Sequence, residues 1–226
     1  RVWGPPRARG VLTQTLAAAA GMLLVGWALE VRSSSAPPLM PWAALAGCWI
    51  LAAGPAPLLA NTLGLGGTAG AAALHAARRP ARTLALDHLR LSLPSLAAVI
   101  VAALIAAAAS PEPLRGGFPA LACGTGMIAA LSGAGAALST LWPWAAALDA
   151  PRAPLWAPSG ARTVMALVQG TVLAPIGLSL WLGPGSAVGG AFATLGVGLA
   201  IGFVGWAVAT VMVRRRRGRI LEALLS

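Results

Sequence analysis

Charged side chains in this chain fall in short clusters separated by long apolar runs, without the alternation that marks a half-buried strand. Asp, Glu, Lys and Arg are absent from 10–29, 33–74, 91–111, 116–148 and 163–213. A bilayer's hydrocarbon core, about 30 Å thick, is crossed by roughly 20 helical residues at about 1.5 Å of rise each. By length, the first and third runs hold one crossing each and the fourth one crossing with a tail. The fifth, 51 residues long, holds two crossings and a turn. The second, interrupted by Pro and Gly, holds one crossing between two loops. The pattern predicts an all-α polytopic membrane protein: a single transmembrane domain over 1–226 with about six transmembrane helices, near 11–30, 42–60, 91–109, 120–140, 163–182 and 190–213. The stretch from Val11 to Leu29 exceeds a usual signal-peptide core and reads as a retained helix.

The placement of arginine orients these spans. The N-terminus (Arg1, Arg7, Arg9), the loop 61–90 (Arg78, Arg79, Arg82, Arg90), the loop 141–162 (Arg152, Arg162) and the tail (Arg214 to Arg217, Arg219) hold fourteen of the sixteen arginines. The opposite loops hold only Arg32 and Arg115, near Glu30 and Glu112. The positive-inside rule then puts both termini in the cytoplasm, and one miscounted crossing would break the alternation. Trp42, Trp142, Trp144 and Trp181 fall near predicted interfaces, where an amphipathic ring is favoured.

Composition agrees with a lipid-embedded chain: 58% of residues are hydrophobic and 9% charged, where a soluble domain carries about 25% charged residues. A net charge of +11 would point to nucleic acid in a soluble protein. Here the arginines record loop topology, so the lipid bilayer is the expected partner and nucleic acid is not. The Ala, Gly and Arg bias is that of a high-GC bacterial genome, which places the chain in a bacterial plasma membrane.

The spans are rich in Ala and Gly. Helices in lipid associate by close backbone approach, because lipid is already as apolar as Leu. Gly198 and Gly202 form a GxxxG pair in the last span, and Ala122, Gly126, Ala130 and Ala134 form a small-residue stripe in the fourth. Both predict tight helix contact, within the chain or with a second copy. Pro55, Pro57 and Pro175 predict kinks or early unwinding. After the turn at Gly183-Pro184-Gly185, the run 186–213 is longer than one crossing needs, so either a short re-entrant helix precedes the last span or that span is a tilted single helix.

Several chemistries are excluded by missing residues. Without lysine there is no P-loop GxxxxGK[ST], so any ATP hydrolysis belongs to another chain. The only histidines, His75 and His88, fall in the predicted loop 61–90, which leaves no intramembrane Ser/His dyad and no His-based metal or haem cluster. No catalytic or metal-ligating residue is assigned. Cys48 and Cys123 read as buried small apolar residues. No ionisable residue lies in the middle third of any span, which argues against a proton- or ion-coupled carrier. Gln14 and Gln169 are the deepest strongly polar side chains and the candidates for a translocation path, each with interhelical hydrogen bonding as the alternative role.

The segment 61–90 carries the most distinctive pattern. It opens on a Gly-rich turn, Asn61-x-x-Gly64-x-Gly66-Gly67, and reaches Arg78-Arg79-Pro80. Pro80 suits the first turn of a helix running through Arg82, Leu84, Asp87, His88 and Arg90 into the third span. Such a basic helix either docks on a soluble partner or lies among anionic headgroups. The six-span order and this connection, with Leu138-Ser139-Thr140-Leu141-Trp142-Pro143 and Asp149-Ala150-Pro151 after the fourth span, resemble the membrane domain of ABC-2-type exporters, in the form of actinobacterial drug or antibiotic permeases. The likeness covers about 61–160 by motif and the rest by topology. It implies a coupling helix within 61–90 with Arg78, Arg79, Arg82 and Asp87 as contacts to a separate ABC ATPase subunit, which would hold the ATP and magnesium while this chain holds no cofactor. It implies further a second six-helix unit, a homodimer mate or related half, an amphipathic or hydrophobic substrate, and short external helices before the last span. The competing expectations are an accessory subunit lending small-residue faces to a larger membrane complex, and an ion-coupled secondary carrier.

Overall fold

The computed structural model describes residues 10, 13–21, 40–54, 56–65, 72, 74–109, 113–143, 159–182 and 186–225. All regular structure among them is helical. Residues 13–21 form α1, followed by α2 (Met40–Ala53), α3 (Ala56–Ala60), α4 (Thr62–Leu65) and a short α5 of which residues 72 and 74–76 are described. The long helices are α6 (Pro80–Ala109), α7 (Pro113–Leu141), α8 (Ser159–Leu182) and α9 (Ala187–Arg215), and α10 (Arg217–Leu225) closes the chain.

Four helices are long and apolar enough to cross a membrane: Pro80–Ala108, Gly117–Leu141, Gly160–Ser179 and Val188–Arg215. They coincide with the last four predicted spans, and the chain is a multi-pass membrane protein. The other two expected spans have different outcomes. Of 11–30, only 13–21 are described, and these are helical. The segment 42–60 is divided, because α2 has 14 residues, about 21 Å at the helical rise, and ends where Gly54 donates its backbone N–H to the Ile50 carbonyl. Glycine is needed at that stop, since a methyl group on Gly54 would fall 2.8 Å from Cβ of Thr15 in α1.

At Pro175 the helix does not unwind, since α8 is continuous through it, and Pro94 and Pro119 likewise lie inside continuous helices. Neighbouring groups in a packed membrane bundle take up the backbone groups a proline frees. The run before the last span is one helix, Ala187–Arg215, with no separate short helix in it, so the single-helix alternative holds and the short external helices implied by the family likeness are not seen there.

The bundle is ordered around α7. Of its most apolar window 72% is buried, against 39% for α6, 28% for α9 and 22% for α8, so α7 is the central helix and the others surround it. The interior is built from small side chains: Ala102, Ala103, Ala106, Ala120, Ala130, Ala134 and Cys48 are buried. Many large apolar side chains point outward, among them Leu104, Leu167, Phe192, Phe203 and Val204, while Leu59, Met127, Leu131 and Met165 are buried with the small ones. In lipid an exposed Leu costs nothing and close packing supplies the cohesion. Cys48, Val99 and Gly124 meet where α2, α6 and α7 converge, and a methyl group on Gly124 would lie 3.3 Å from Cβ of Cys48.

The GxxxG pair finds its partner within the chain. A methyl group on Gly202 would stand 2.7 Å from the Ala129 carbonyl oxygen, Gly198 lies against Gly126, and Gly205 lies against Gly133. The stripe residues Ala122, Gly126, Ala130 and Ala134 are all buried. The α7–α9 seam is therefore backbone against backbone.

Arg1, Arg7, Arg9, Glu30, Arg32, Pro55, Gly66, Gly67, Glu112, Trp144, Asp149 to Arg152 and the turn 183–185 lie outside the described residues, as do the side chains of Trp42, Pro57 and Arg115. Trp142 and Trp181, at the ends of α7 and α8, are exposed.

Candidate functional site

Two features of the bundle carry polar chemistry: the arginine-rich end and a groove that leads away from it along α6. The expected helix starting at Pro80 forms and runs without a break to Ala109, so the basic segment and the span are one rigid rod. Backbone N–H groups of Arg82 and Thr83 donate to the Arg79 carbonyl as the helix opens. Arg78, Arg79 and Arg82 are exposed at this end. Asp87 is half-buried and faces Arg90 at 3.4 Å one turn on. Of the four coupling candidates, the structure thus groups the three arginines on a free surface and turns Asp87 toward its own helix neighbour. At the start of 61–90, Asn61 is a buried turn residue, and Thr62 donates its hydroxyl to the Leu59 carbonyl at 2.9 Å to open α4. A short helix thus stands where a glycine turn is expected. In the second motif stretch, Ser139 and Thr140 donate to the carbonyls of Ala136 and Ala137 within α7.

The opposite face of the α6 start is gripped from the chain's far end. Leu63, Leu74, Leu84, Ala136, Ala209, Val213 and Ile220 form one apolar cluster, which seats α10 beneath α4, α5 and α6. Arg217 donates from its guanidinium to the carbonyls of Leu74, His75 and Ala77, at 2.6 Å for Leu74 and 3.3 Å for Ala77. One arginine of the terminal run is thus a clamp on the segment that precedes Arg78. A run of like arginines does not reveal which member turns inward.

His88 is also not a loop residue. It lies inside α6, fully buried, edge-on to Trp206 of α9 with ring centroids 5.1 Å apart at 78°. Its two ring nitrogens have no hydrogen-bond partner among the described residues. A signal for this burial exists in the sequence: Leu84, His88, Leu91, Ser95, Val99, Ala102 and Ala106 follow three- and four-residue steps, and all are buried. His75, by contrast, is exposed.

Beside this pair a groove of about 600 Å³ opens between α6 and α9 over α7, running from Ala85 and Trp206 to Leu96 and Leu199. Ser92 and Leu96 of α6, Thr125 and Ser132 of α7, and Phe203 and Trp206 of α9 line it. Its rim is apolar and exposed at Leu89, Leu93, Leu199 and Phe203. The hydroxyl of Ser92, 7% exposed, has no partner among the described residues. An apolar trough with a few hydroxyls accommodates an apolar or amphipathic molecule, the hydroxyls orienting its polar part. Gln14 is exposed on α1 and Gln169 is half-buried on α8, and neither lines this groove. Among the described residues no group of His, Cys, Asp or Glu could hold a metal ion. No family model, curated protein or solved structure matches the chain.

Proposed function

We propose that the chain is the membrane-spanning permease subunit of an ATP-driven exporter in a bacterial plasma membrane, moving an amphipathic or hydrophobic compound and energised by a separate ATPase subunit. The observation that carries this reading is the construction of α6. One unbroken helix presents Arg78, Arg79 and Arg82 at or just before its start and forms a groove wall from Ala85, less than one turn past Arg82, to Leu96. A push at the arginines would reach the groove without loss in a flexible joint. The clamp by Arg217 and the Leu84 cluster give that rod a fulcrum on α9 and α10. In this reading both termini and the arginine-rich end face the cytoplasm, a second six-helix unit completes the path, and nucleotide and magnesium stay on the partner.

The accessory-subunit reading needs small-residue faces free for other proteins. Gly198, Gly202 and Gly205 are already packed against α7 of the same chain, so the GxxxG pair does not serve it, and the exposed Ala166, Gly170, Ala174 and Gly177 of α8 are the face that reading would use. The test is purification of the full chain from its native membrane in mild detergent. A soluble chain with Walker motifs is expected to accompany it, and Arg79→Glu with Arg82→Glu is expected to reduce the bound ATPase and its hydrolysis roughly tenfold or more. Arg162→Glu, exposed at the start of α8, is expected to leave both unchanged. Absence of an associated ATPase from the parent preparation defeats the proposal.

A further inference from the structure

The four consecutive arginines from Arg214 to Arg217 do not all do the same work. α9 ends at Arg215, the chain breaks at Arg216 with φ −114° and ψ 19°, and α10 starts at Arg217. The break turns Arg217 inward onto the carbonyls of Leu74, His75 and Ala77. It leaves Arg215, Arg216 and Arg219 around a cleft of about 520 Å³, with Gly218 and Glu222 completing the wall. Gly218 adds no side chain, and a methyl group there would meet nothing within 4 Å. Three arginines and one glutamate thus line this open cleft. Among the described residues none of the three forms an ion pair: the one pair is Arg90 with Asp87.

We propose that this cleft binds the phosphate headgroup of an anionic membrane lipid. The chemistry selects a phosphate, because the planar fork of arginine matches phosphate oxygens with paired hydrogen bonds. The position selects a lipid as its source. The uncharged run 163–213 stops two residues before Arg215, so the cleft opens where an apolar helix leaves the hydrocarbon and the phosphodiester layer begins. The site is independent of any ATPase partner. It gives α10, already fastened by Ile220 and Arg217, a second attachment to the membrane surface.

The experiment is native mass spectrometry of the purified full chain in mild detergent, titrated with phosphatidylglycerol and, in parallel, with phosphatidylcholine. Each arginine near a membrane surface contributes about 1 kcal/mol toward anionic lipid, so the triple variant Arg215→Gln, Arg216→Gln, Arg219→Gln is expected to retain roughly 10- to 100-fold less phosphatidylglycerol. Arg78→Gln with Arg79→Gln, outside the cleft, is expected to retain clearly more phosphatidylglycerol than the triple variant. In the parent itself, phosphatidylglycerol is expected to be lost as salt is raised, to resist millimolar inorganic phosphate, and to exceed phosphatidylcholine. Equal retention of the two lipids by the parent overturns the proposal without reference to any variant. So does equal retention by the parent and the triple variant, or displacement by inorganic phosphate at millimolar concentration, which would assign the cleft to the free ion.

Discussion

α9 meets two of its long neighbours, α7 and α6, in opposite ways. Against α7 it presents Gly198, Gly202 and Gly205, and the two backbones touch. Against α6 it presents Phe203 and Trp206, and the helices stand apart, joined through the His88–Trp206 contact near the arginine-rich end and separated by the groove beside it. The same helix thus supplies a seam and a trough. In a medium with no hydrophobic force to draw helices together, the distance between two of them is set by the size of the side chains between them. Glycine on one face and aromatic rings on another are enough to close α9 onto α7 while holding it off α6.

The seam is where that contrast breaks most easily. Gly202→Leu drives a side chain into the Ala129 carbonyl, a backbone group with nowhere to move. Overpacking costs about 1–3 kcal/mol where side chains can yield, and more where they cannot, so a loss of about 3 kcal/mol or more is expected, read as the midpoint of unfolding in a denaturing-detergent titration. Gly196→Leu is the matched control. It lies in the same helix with nothing within 4 Å of an added methyl group, and its expected effect is within about 0.5 kcal/mol. Equal loss in the two variants would show that the seam does not carry the assembly.

How far these features were legible before the structure depends on the kind of force behind them. The crossings of α6 to α9 follow from the long apolar runs and, between α8 and α9, from the Gly183-Pro184-Gly185 sequence, and the expected 91–109, 120–140, 163–182 and 190–213 fall inside α6, α7, α8 and α9. The small-residue stripes were visible, but their pairing was not: complementary glycine spacing on two helices fits a partner in the same chain or another. His88 continues the buried three-and-four pattern from Leu84, but the charges of Arg82, Asp87 and Arg90 beside it mask that pattern in the sequence. The groove hydroxyls Ser92, Thr125 and Ser132 come from two helices, and no local pattern announces that they converge. The inward turn of Arg217 depends on the helical phase after the break at Arg216, which packing of Ile220 determines.

The arginine-rich end is where the start of α6 is tied to α9 and α10, and Arg217 tests whether that tie holds α6 in register. Hydrogen bonds from a charged donor contribute about 1.5–3 kcal/mol when well shielded. This side chain is half-exposed, so screening lowers the expected local loss for Arg217→Ala to about 1–2 kcal/mol. Amide hydrogen exchange is expected to speed up roughly tenfold at 74–84, while amides in the centre of α7 remain as protected as in the parent. Unchanged exchange at 74–84 would mean that the apolar contacts of Leu74, Leu84 and Ile220 hold this end without the clamp. Loss of protection in α7 would mean that the two regions are not independent.

Ser92 makes the smallest expected difference and decides the character of the groove. Its hydroxyl is buried without a partner among the described residues, and an orphan polar group disfavours the folded state. Ser92→Ala removes that group with little change in volume, so it is expected to be neutral or to stabilise by up to about 1 kcal/mol. The sign is the informative part, and the detergent-unfolding midpoint reads it. A stabilising change means that the trough is dry and the hydroxyl is held in reserve for something that enters. A loss of about 1 kcal/mol would mean that the hydroxyl is already bonded to water or lipid, and the wall that α6 presents to α9 would then be part of a solvated surface and not an apolar one.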